Sequence, residues 1–387
     1  MRTAPALRWI LVLACAGLLA ACQGDIQGED DAGQDGQTQD DGQDGAQGVD
    51  DGSLPEDDGS PPEDDGAQAE DDGGVGDDEG GGNDPGPGQG HYFPPGAIWT
   101  QDVYDAPAAA DSDAIIQCLR DAGGWGNEDV FQIDFSIEVL RDDGSAPMRD
   151  FIPTGDFYSP DCDQVPMPVP AGGALEGEQG YECTSDGDCH LIVVRGTDLY
   201  EMWRANISGG DFYGGCLAVW DLTRIYGPTG RGAQCTSADA AGFPIAPLLF
   251  SADELAAGEI AHAIRFILPN DRVKQRTYVP PATHGTNTSG GTACPPYGVH
   301  FRLRRDFPLE TLPNEGARVV ARALQRYGMF HADGGNIALT AQSDRFTTAK
   351  WADHLEPRDL SAIQVEDFEV IDHGGQVPVT YDCVRNP

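Results

Sequence analysis

Residues 130 to 140 read VFQIDFSIEVL, and their strict alternation of apolar and polar side chains decides the fold class. A period of two residues is typical of a β-strand that is buried on one face and polar on the other. The apolar face would carry Phe131, Ile133, Phe135, Ile137 and Val139. We therefore predict a half-buried strand here.

Shorter segments of the same kind follow, with glycine and proline between them. They predict strands at 190–194, 199–203, 216–222, 298–304, 337–341 and 365–371. A capping box of Ser251 and Glu254 predicts a short helix, and helical periodicity ending at Gly328 predicts a second one. The pattern indicates a mainly β domain, an antiparallel, jelly-roll-like sandwich with one or two short helices.

The segment GEIAHAIRF, residues 258 to 266, contains three polar residues spaced as if on one face of a helix: Glu259, His262 and Arg265. Gly258 and the alternation after it instead predict a strand, on which His262 and Arg265 point to opposite faces. The apparent triad then does not form. His262 shares its face with apolar residues, which favours a packing role over a catalytic one.

The N-terminus has the features of an export signal. Residues 1–21 contain two arginines and a short apolar stretch, and Leu19-Ala20-Ala21-Cys22 resembles the bacterial lipobox. The expected product is a mature chain that begins at a lipidated Cys22 and is anchored in the membrane through that lipid. We expect a location in the cell envelope, at the outer membrane or cell surface rather than the inner membrane.

The segment that follows is acidic and almost free of apolar residues. Residues 23–90 contain 23 acidic residues and no lysine or arginine, so we interpret 22–90 as a lipidated cysteine with a disordered Asp/Gly-rich tether. Without the signal and tether, residues 91–387 keep 21 basic and 42 acidic residues, a formal charge of −21. This charge argues against nucleic acid as a partner.

Residues 91–387 are long enough for a β-rich globular domain and hold eight of the ten cysteines. An even number in an exported chain favours disulfides over a metal site, and we expect neither a metal nor a cofactor. Cys183 and Cys189 flank the turn-rich TSDGD and are the first predicted pair. The other pairings stay open.

Four long segments carry a resemblance. They are TSADAAGFPIAPLLFSADELAAGEIAHAIRF, YVPPATH, PPYGVHFRLR and ALQRYGMFHADGG, in this order from Thr236 to Gly335. Together they resemble a group of secreted proteins of actinobacteria and related soil bacteria whose function is unassigned. The resemblance covers about Cys189 to Asp372. It implies a carbohydrate context, through export and companion modules, and assigns no catalytic position.

The sequence lacks the common catalytic motifs of hydrolases, nucleotide-binding proteins and zinc proteases. A wide set of ionisable residues remains in the region that carries the resemblance. Its members are Asp239, Glu259, Asp333, His262, His284, His300, His331, Arg265 and Arg302. Paired carboxyl groups would suit glycoside hydrolysis, and a histidine base with a cationic anchor would suit β-elimination of a uronic acid.

From this set we predict a site of three residues at strand or loop ends. His284 would be a base or hydrogen-bond donor, Arg302 an anchor for an acidic sugar and Asp333 a general acid or hydroxyl acceptor. Pairing of Arg302 with a carboxylate on the next strand is an alternative explanation for that arginine. His262 and Glu259 are second choices as catalytic residues.

Three function classes therefore stay open. The domain could bind and cleave a polysaccharide as a hydrolase or lyase, bind a glycan without cleaving it, or be a structural or interaction protein of the envelope. Whether it is an enzyme is left open by the sequence. A cleft with carboxyl groups would favour the first class, and a shallow aromatic platform the second.

The lipobox generates the first testable prediction. Wild-type protein should partition into the detergent phase of a phase-separation experiment, and Cys22→Ala should stay in the aqueous phase because it lacks the acyl chains. Equal partitioning of the two proteins would contradict lipidation at Cys22.

Overall fold

The computed structural model describes residues 92–185 and 187–386. The predicted signal peptide, Cys22 and the tether lie outside the described residues. None of the described helices has the length and hydropathy to cross a bilayer.

Two sheets organise the domain. The six-stranded sheet contains β1 (Ile133–Ile137), β6 (Ile264–Leu268), β7 (His300–Leu303), β8 (Met329–Gly334), β9 (Leu339–Gln342) and β10 (Phe368–Val370), in the spatial order β1-β9-β6-β8-β7-β10. The four-stranded sheet contains β2 (Val139–Asp142), β3 (Leu191–Arg195), β4 (Asp198–Trp203) and β5 (Cys216–Asp221), in the order β5-β4-β3-β2.

Shorter ladders and helical turns complete the fold. The ladders pair Met148–Arg149 with Met167–Pro168, Asp211–Gly214 with Ile152–Pro153 and Asn206–Ser208, Gly232–Ala233 with Val384–Arg385, and Thr277–Tyr278 with Val377–Pro378. The 3-10 turns are Ile98–Thr100, Ala246–Leu248, Asn270–Arg272, Leu309–Thr311, Trp351–Asp353 and Val365–Asp367.

The prediction of a mainly β domain is confirmed, but the pairing within the sheets is mixed. Strand β1 runs parallel to β9, β6 parallel to β8, and β2 parallel to β3, while β3, β4 and β5 pair antiparallel. An antiparallel, jelly-roll-like sandwich is therefore not confirmed. Residue alternation identifies a strand but carries no information about the direction of its neighbour, which explains the difference.

The alternating segment 130–140 serves both sheets. Its first part forms β1 in the six-stranded sheet, and after Glu138 the chain continues as β2 in the four-stranded one. Glu138 is buried at the junction, where its Oε1 accepts a hydrogen bond from Arg345 Nε at 2.8 Å. One continuous segment of the chain thus contributes a strand to each of the two sheets.

An aromatic cluster packs on one face of the six-stranded sheet. Its members are Trp125, Phe131, Phe266, Phe301 and Phe368, all buried, with ring centroids 4.7 to 6.4 Å apart in the contacting pairs. Rings in such edge-to-face contacts bury large apolar areas in fixed relative positions. The opposite face of this sheet carries the candidate site.

The helices follow the capping signals. Helix α2 (Ala252–Ala257) starts with the predicted capping box and ends at Gly258, whose φ of 82° is left-handed. Helix α3 (Glu315–Arg326) ends just before Gly328, at φ 69°. Helix α1 (Ser112–Asp121) has no side-chain cap, which is consistent with its absence from the sequence-based prediction.

Four disulfides close the domain and use all eight cysteines of its sequence. The predicted bond Cys183–Cys189 is present, and the others are Cys118–Cys294, Cys162–Cys216 and Cys235–Cys383. Cross-links over such separations limit the conformations of the unfolded chain, and this limitation stabilises the folded one.

The disulfides generate the second prediction. Denatured, unreduced protein should yield no free thiol from these eight cysteines, because all of them are paired. Thiol counting with and without reductant measures this directly, and the reduced sample provides the control. A count near eight without reductant would contradict the four bonds.

Candidate functional site

A row of polar side chains crosses the six-stranded sheet on the face opposite the aromatic cluster. Asp134 on β1 lies opposite Thr340 on β9. On the next strand, Arg265 donates a hydrogen bond from Nη1 to Thr340 Oγ1 at 3.3 Å. Arg265 is only 3% exposed, so its charge requires partners inside the protein.

A bulge in β8 brings Asp333 to the same face as Arg265. Phe266 lies opposite His331, but the next residue, Ile267, lies opposite Asp333, so Ala332 is the additional residue. One extra residue reverses the face of every side chain after it. As a result, Asp333 Oδ2 accepts a hydrogen bond from Arg265 Nη2 at 3.3 Å.

The second partner of Arg265 is Asp239, which comes from the loop 236–243. Asp239 is fully buried and accepts hydrogen bonds from Nη2 at 2.9 Å and from Nε at 3.4 Å. The loop is attached to the bulge, because Ala241 N donates to Ala332 O at 2.8 Å and Ala240 N donates to Asp333 Oδ2 at 3.3 Å. The guanidinium thus contacts two carboxyl groups.

Asp239 and Asp333 also contact each other, and their pKa values reflect this. Burial raises the pKa of Asp239, and the charge of Arg265 opposes the rise. Burial and repulsion from Asp239 raise the pKa of Asp333 well above its usual range. Two adjacent carboxyl groups share a proton in this way when both cannot ionise.

An ion pair of His190 and Glu176 lies next to the Asp239 loop. His190 Nδ1 contacts Glu176 Oε2 at 2.6 Å, and its Nε2 lies 3.0 Å from Ala238 O. Burial alone would lower the pKa of His190, but the charge of Glu176 raises it to about 10. Burial would raise the pKa of Glu176, yet the charges of His190 and Arg265 hold it below its usual value.

We call Arg265, Asp239, Asp333, Asp134, Glu176 and His190 together the Arg265 cluster. The disulfide-closed loop that carries Asp188 acts on this cluster. Glu178 holds this loop by accepting hydrogen bonds from Thr184 and Ser185, with Thr184 Oγ1 at 2.7 Å. Asp188 is exposed and accepts from Trp203 Nε1 at 2.8 Å. Its charge contributes to the raised pKa of Asp333, so the loop is electrostatically part of the site.

Glu201 anchors the residues that directly follow the Asp239 loop to the four-stranded sheet. Its Oε1 accepts hydrogen bonds from Ile245 N and Ala246 N, both at 2.8 Å, and its Oε2 accepts from Trp220 Nε1 at 3.0 Å. Burial raises the pKa of this carboxyl to about 7. The loop is therefore held by groups from both sheets.

Two of the three predicted site residues, Asp333 and His284, contact the backbone of the same residue, Ala240. Ala240 N donates to Asp333, and Ala240 O lies 2.9 Å from His284 Nδ1. His284 is 7% exposed, and burial lowers its pKa, so a neutral ring is favoured. The prediction that His284 and Asp333 belong to one site stays a prediction, and their positions agree with it.

Arg302 lies elsewhere, on β7. It pairs with Glu369 on the neighbouring β10, with Nη2 and Oε1 2.6 Å apart, and its Nη1 donates to the carbonyls of Val103, Tyr104 and Ala106. This is the cross-strand pairing that the sequence left as the alternative explanation. Arg302 thereby fastens the segment 103–106 to the sheet.

The second-choice residues are also separate from the Arg265 cluster. His262 is buried, with Nε2 3.1 Å from Glu254 Oε1 and Nδ1 2.8 Å from Ala263 O. Glu259 is exposed, and its nearest ionic partner is Arg326 at 3.9 Å. The triad of 258–266 does not form, as the alternation predicted.

Two cavities lie away from Arg265 and its carboxyl partners. These cavities, of about 370 and 520 Å³, adjoin the segment 102–108 near Arg302 and Arg326. Among the described residues, the two groups with metal-ligand spacing each contain a disulfide-bonded cysteine pair, whose sulfurs are not thiolates. The cluster itself fits acid-base chemistry better than metal ligation.

Several residues of the cluster were missed by sequence reasoning. Asp239 and Arg265 belonged to the wide candidate set, whereas Asp134, Glu176 and His190 did not. The three lie outside the four segments that carry the resemblance, and no regular spacing in the sequence connects them.

No protein-family model, curated protein or solved structure matches this chain.

The position of Arg302 generates a stability prediction. Arg302→Met should lower the free energy of unfolding by about 3 to 5 kcal/mol, because it removes the donor of Glu369 and of the carbonyls of Tyr104 and Ala106. Arg322→Met is the matched control: it removes an exposed pair with Glu315 and should cost about 0 to 1 kcal/mol. Equal losses of unfolding free energy in the two variants, measured by urea unfolding, would contradict this role of Arg302.

His190 generates a pH prediction. Between pH 7 and 9 the folded chain keeps a proton on His190 that the unfolded chain, with a histidine pKa of 6.5, has lost. This contribution is complete below pH 6.5 and disappears as pH rises towards about 10. Stability should therefore fall by about 1.4 kcal/mol per pH unit from this residue. Urea unfolding at several pH values gives the free energy of unfolding as a function of pH. Its decrease between pH 7 and 9 should be smaller for His190→Gln than for the wild type, and an equal decrease would contradict the prediction.

Proposed function

We propose that this is an exported lipoprotein whose β-rich domain binds a polysaccharide and hydrolyses it at the Arg265 cluster. The observation that carries the proposal is a pair of carboxyl groups with opposite pKa shifts. Asp333 has a raised pKa and Glu176 a lowered one, and the charge of Arg265 acts on both. Such a pair supplies a protonated acid and an ionised base at one pH.

Exposure supports the same assignment. The side chain of Asp333 is 19% exposed and that of Glu176 is 17% exposed, whereas Asp239 is fully buried. Asp333 would donate its proton to the glycosidic oxygen. Glu176 would activate water or attack the anomeric carbon, and the separation of the groups around the bound sugar decides between inversion and retention.

Charge favours a neutral sugar over a uronic acid. Asp134, Glu176 and Asp188 border the cluster, while Arg265 is already paired with two carboxyl groups. An anionic sugar would be repelled there. The buried, fully engaged Arg302 also gives little support to its role as an anchor for an acidic sugar, so hydrolysis is favoured over β-elimination.

The remaining parts of the proposal come from the sequence. The lipobox cysteine would hold the protein in the envelope, and the acidic tether would give the domain reach. The four disulfides fit an oxidising location outside the cytoplasm.

Glycan binding without cleavage is a second candidate, favoured by Tyr381. This ring is 41% exposed and packs edge-on to His284, with centroids 5.4 Å apart. An exposed aromatic ring beside a polar cluster is suited to stacking on a sugar. In this case His284 and Tyr381 would form the binding surface, and the carboxyl groups would be structural.

The test exposes the mature protein to neutral and uronic-acid polysaccharides and follows binding, new reducing ends and unsaturated products. Asp333→Asn and Glu176→Gln should each lower the rate of cleavage of a neutral polysaccharide by about 100-fold or more. Asp353→Asn changes an exposed acid on a distant turn and is the matched control.

The outcomes separate the function classes. Unsaturated products would indicate a lyase in place of a hydrolase. Binding without cleavage that survives Asp333→Ala but weakens in His284→Ala would leave the binding protein only. The absence of both binding and cleavage across the panel would favour a structural or interaction protein of the envelope.

A further inference from the structure

His190 has acceptors at both ring nitrogens. Glu176 Oε2 lies 2.6 Å from Nδ1, and Ala238 O lies 3.0 Å from Nε2. A neutral imidazole has one N–H, so only the imidazolium can donate on both sides. His190 is 1% exposed, so bulk water does not replace either partner.

The two acceptors belong to different parts of the site. Glu176 is the ionised carboxylate at the surface of the cluster, and Ala238 directly precedes Asp239, which binds Arg265. His190 itself directly precedes β3 of the four-stranded sheet. One cation therefore connects both carboxylate positions to a rigid element.

We propose that His190 is the positioning residue of this site: its imidazolium joins Glu176 to the Asp239 loop and directs the proton shared by Asp239 and Asp333 to Asp333. The consequence for catalysis rests on the proposed function. The distribution of charge does not, and it can be measured without a substrate.

The direction of the effect follows from the neighbours of each group. The charge of His190 favours ionised Asp239, which is also held by two hydrogen bonds from Arg265. Asp333 instead faces the negative charges of Asp239 and Asp188, with Arg265 as the opposing cation. The proton therefore belongs on Asp333, at the exposed end of the pair.

Other ionisable groups facing these residues do not replace His190. Asp134 has a raised pKa through burial and the charge of Glu176. His284 lies on the other side of the loop, and burial lowers its pKa. Glu201 also faces His190 electrostatically, but as an acceptor from backbone N–H groups. Tyr297 is buried near Asp333 and hydrogen-bonds Thr286.

The first measurement uses the wild-type protein. Nitrogen-15 NMR at pH 8, with His190→Gln to assign the signal, should show both ring nitrogens of His190 protonated. A neutral ring at pH 8 would overturn the proposal. Glu176→Gln provides a second, independent assignment, since its His190 signal should move towards the neutral position.

The second measurement follows the carboxyl carbons of Glu176, Asp239 and Asp333 through a pH titration. In His190→Gln the pKa of Glu176 should rise by about one unit or more, the size expected for loss of an adjacent opposite charge. The proton should also move partly from Asp333 to Asp239. Unchanged titration of all three groups would overturn the proposal.

His262→Gln is the matched control. His262 is also 1% exposed and also lies between a carboxylate, Glu254, and a backbone carbonyl, that of Ala263. Its replacement should leave the titration of Glu176 and Asp333 as in the wild type, and an equal shift in both variants would show a general structural effect and overturn the proposal. The predicted titration without any cleavage would refute only the hydrolase function.

Discussion

The buried guanidinium of Arg265 is the constraint on which the rest of this site depends. A charge at 3% exposure is unstable inside a protein unless opposite charges and acceptors surround it. Arg265 lies on a strand with neighbours on both sides, so its partners must come from those neighbours or from a loop above them. The bulge that turns Asp333 and the loop that delivers Asp239 both meet this requirement. Removing either one would leave a buried charge with half of its compensation.

The second sheet determines how the carboxyl groups behave. His190 precedes β3 and Glu201 lies on β4, and both hold the segment that carries Asp239. The two sheets share the chain 133–142, so the orientation of one is linked to that of the other. Asp333 on the first sheet and His190 beside the second thereby keep fixed relative positions. A site built from only one sheet would lack the groups that separate the two carboxyl pKa values.

The sequence predicted the elements better than their arrangement. Alternation located most of the strands, and the capping box and glycine located both ends of α2, because these signals are local. The direction of strand pairing and the bulge at Ala332 depend on contacts between distant segments, which no local pattern records. Asp333 was selected for its place at a strand end, and it lies near the end of β8. Glu176 and His190 could not be selected, since their significance arises only when two sheets meet.

The bond Cys235–Cys383 has a consequence for the timing of synthesis. It fixes the segment that leads into the Asp239 loop, but its two cysteines are 148 residues apart. At ordinary rates of translation the second cysteine follows the first by on the order of ten seconds. Where the chain enters an oxidising compartment as it is made, Cys235 stays without its native partner throughout that interval, next to other cysteines that are already present. Early chains are therefore exposed to wrong pairings, and an isomerase that reshuffles them would increase the yield of correctly closed protein.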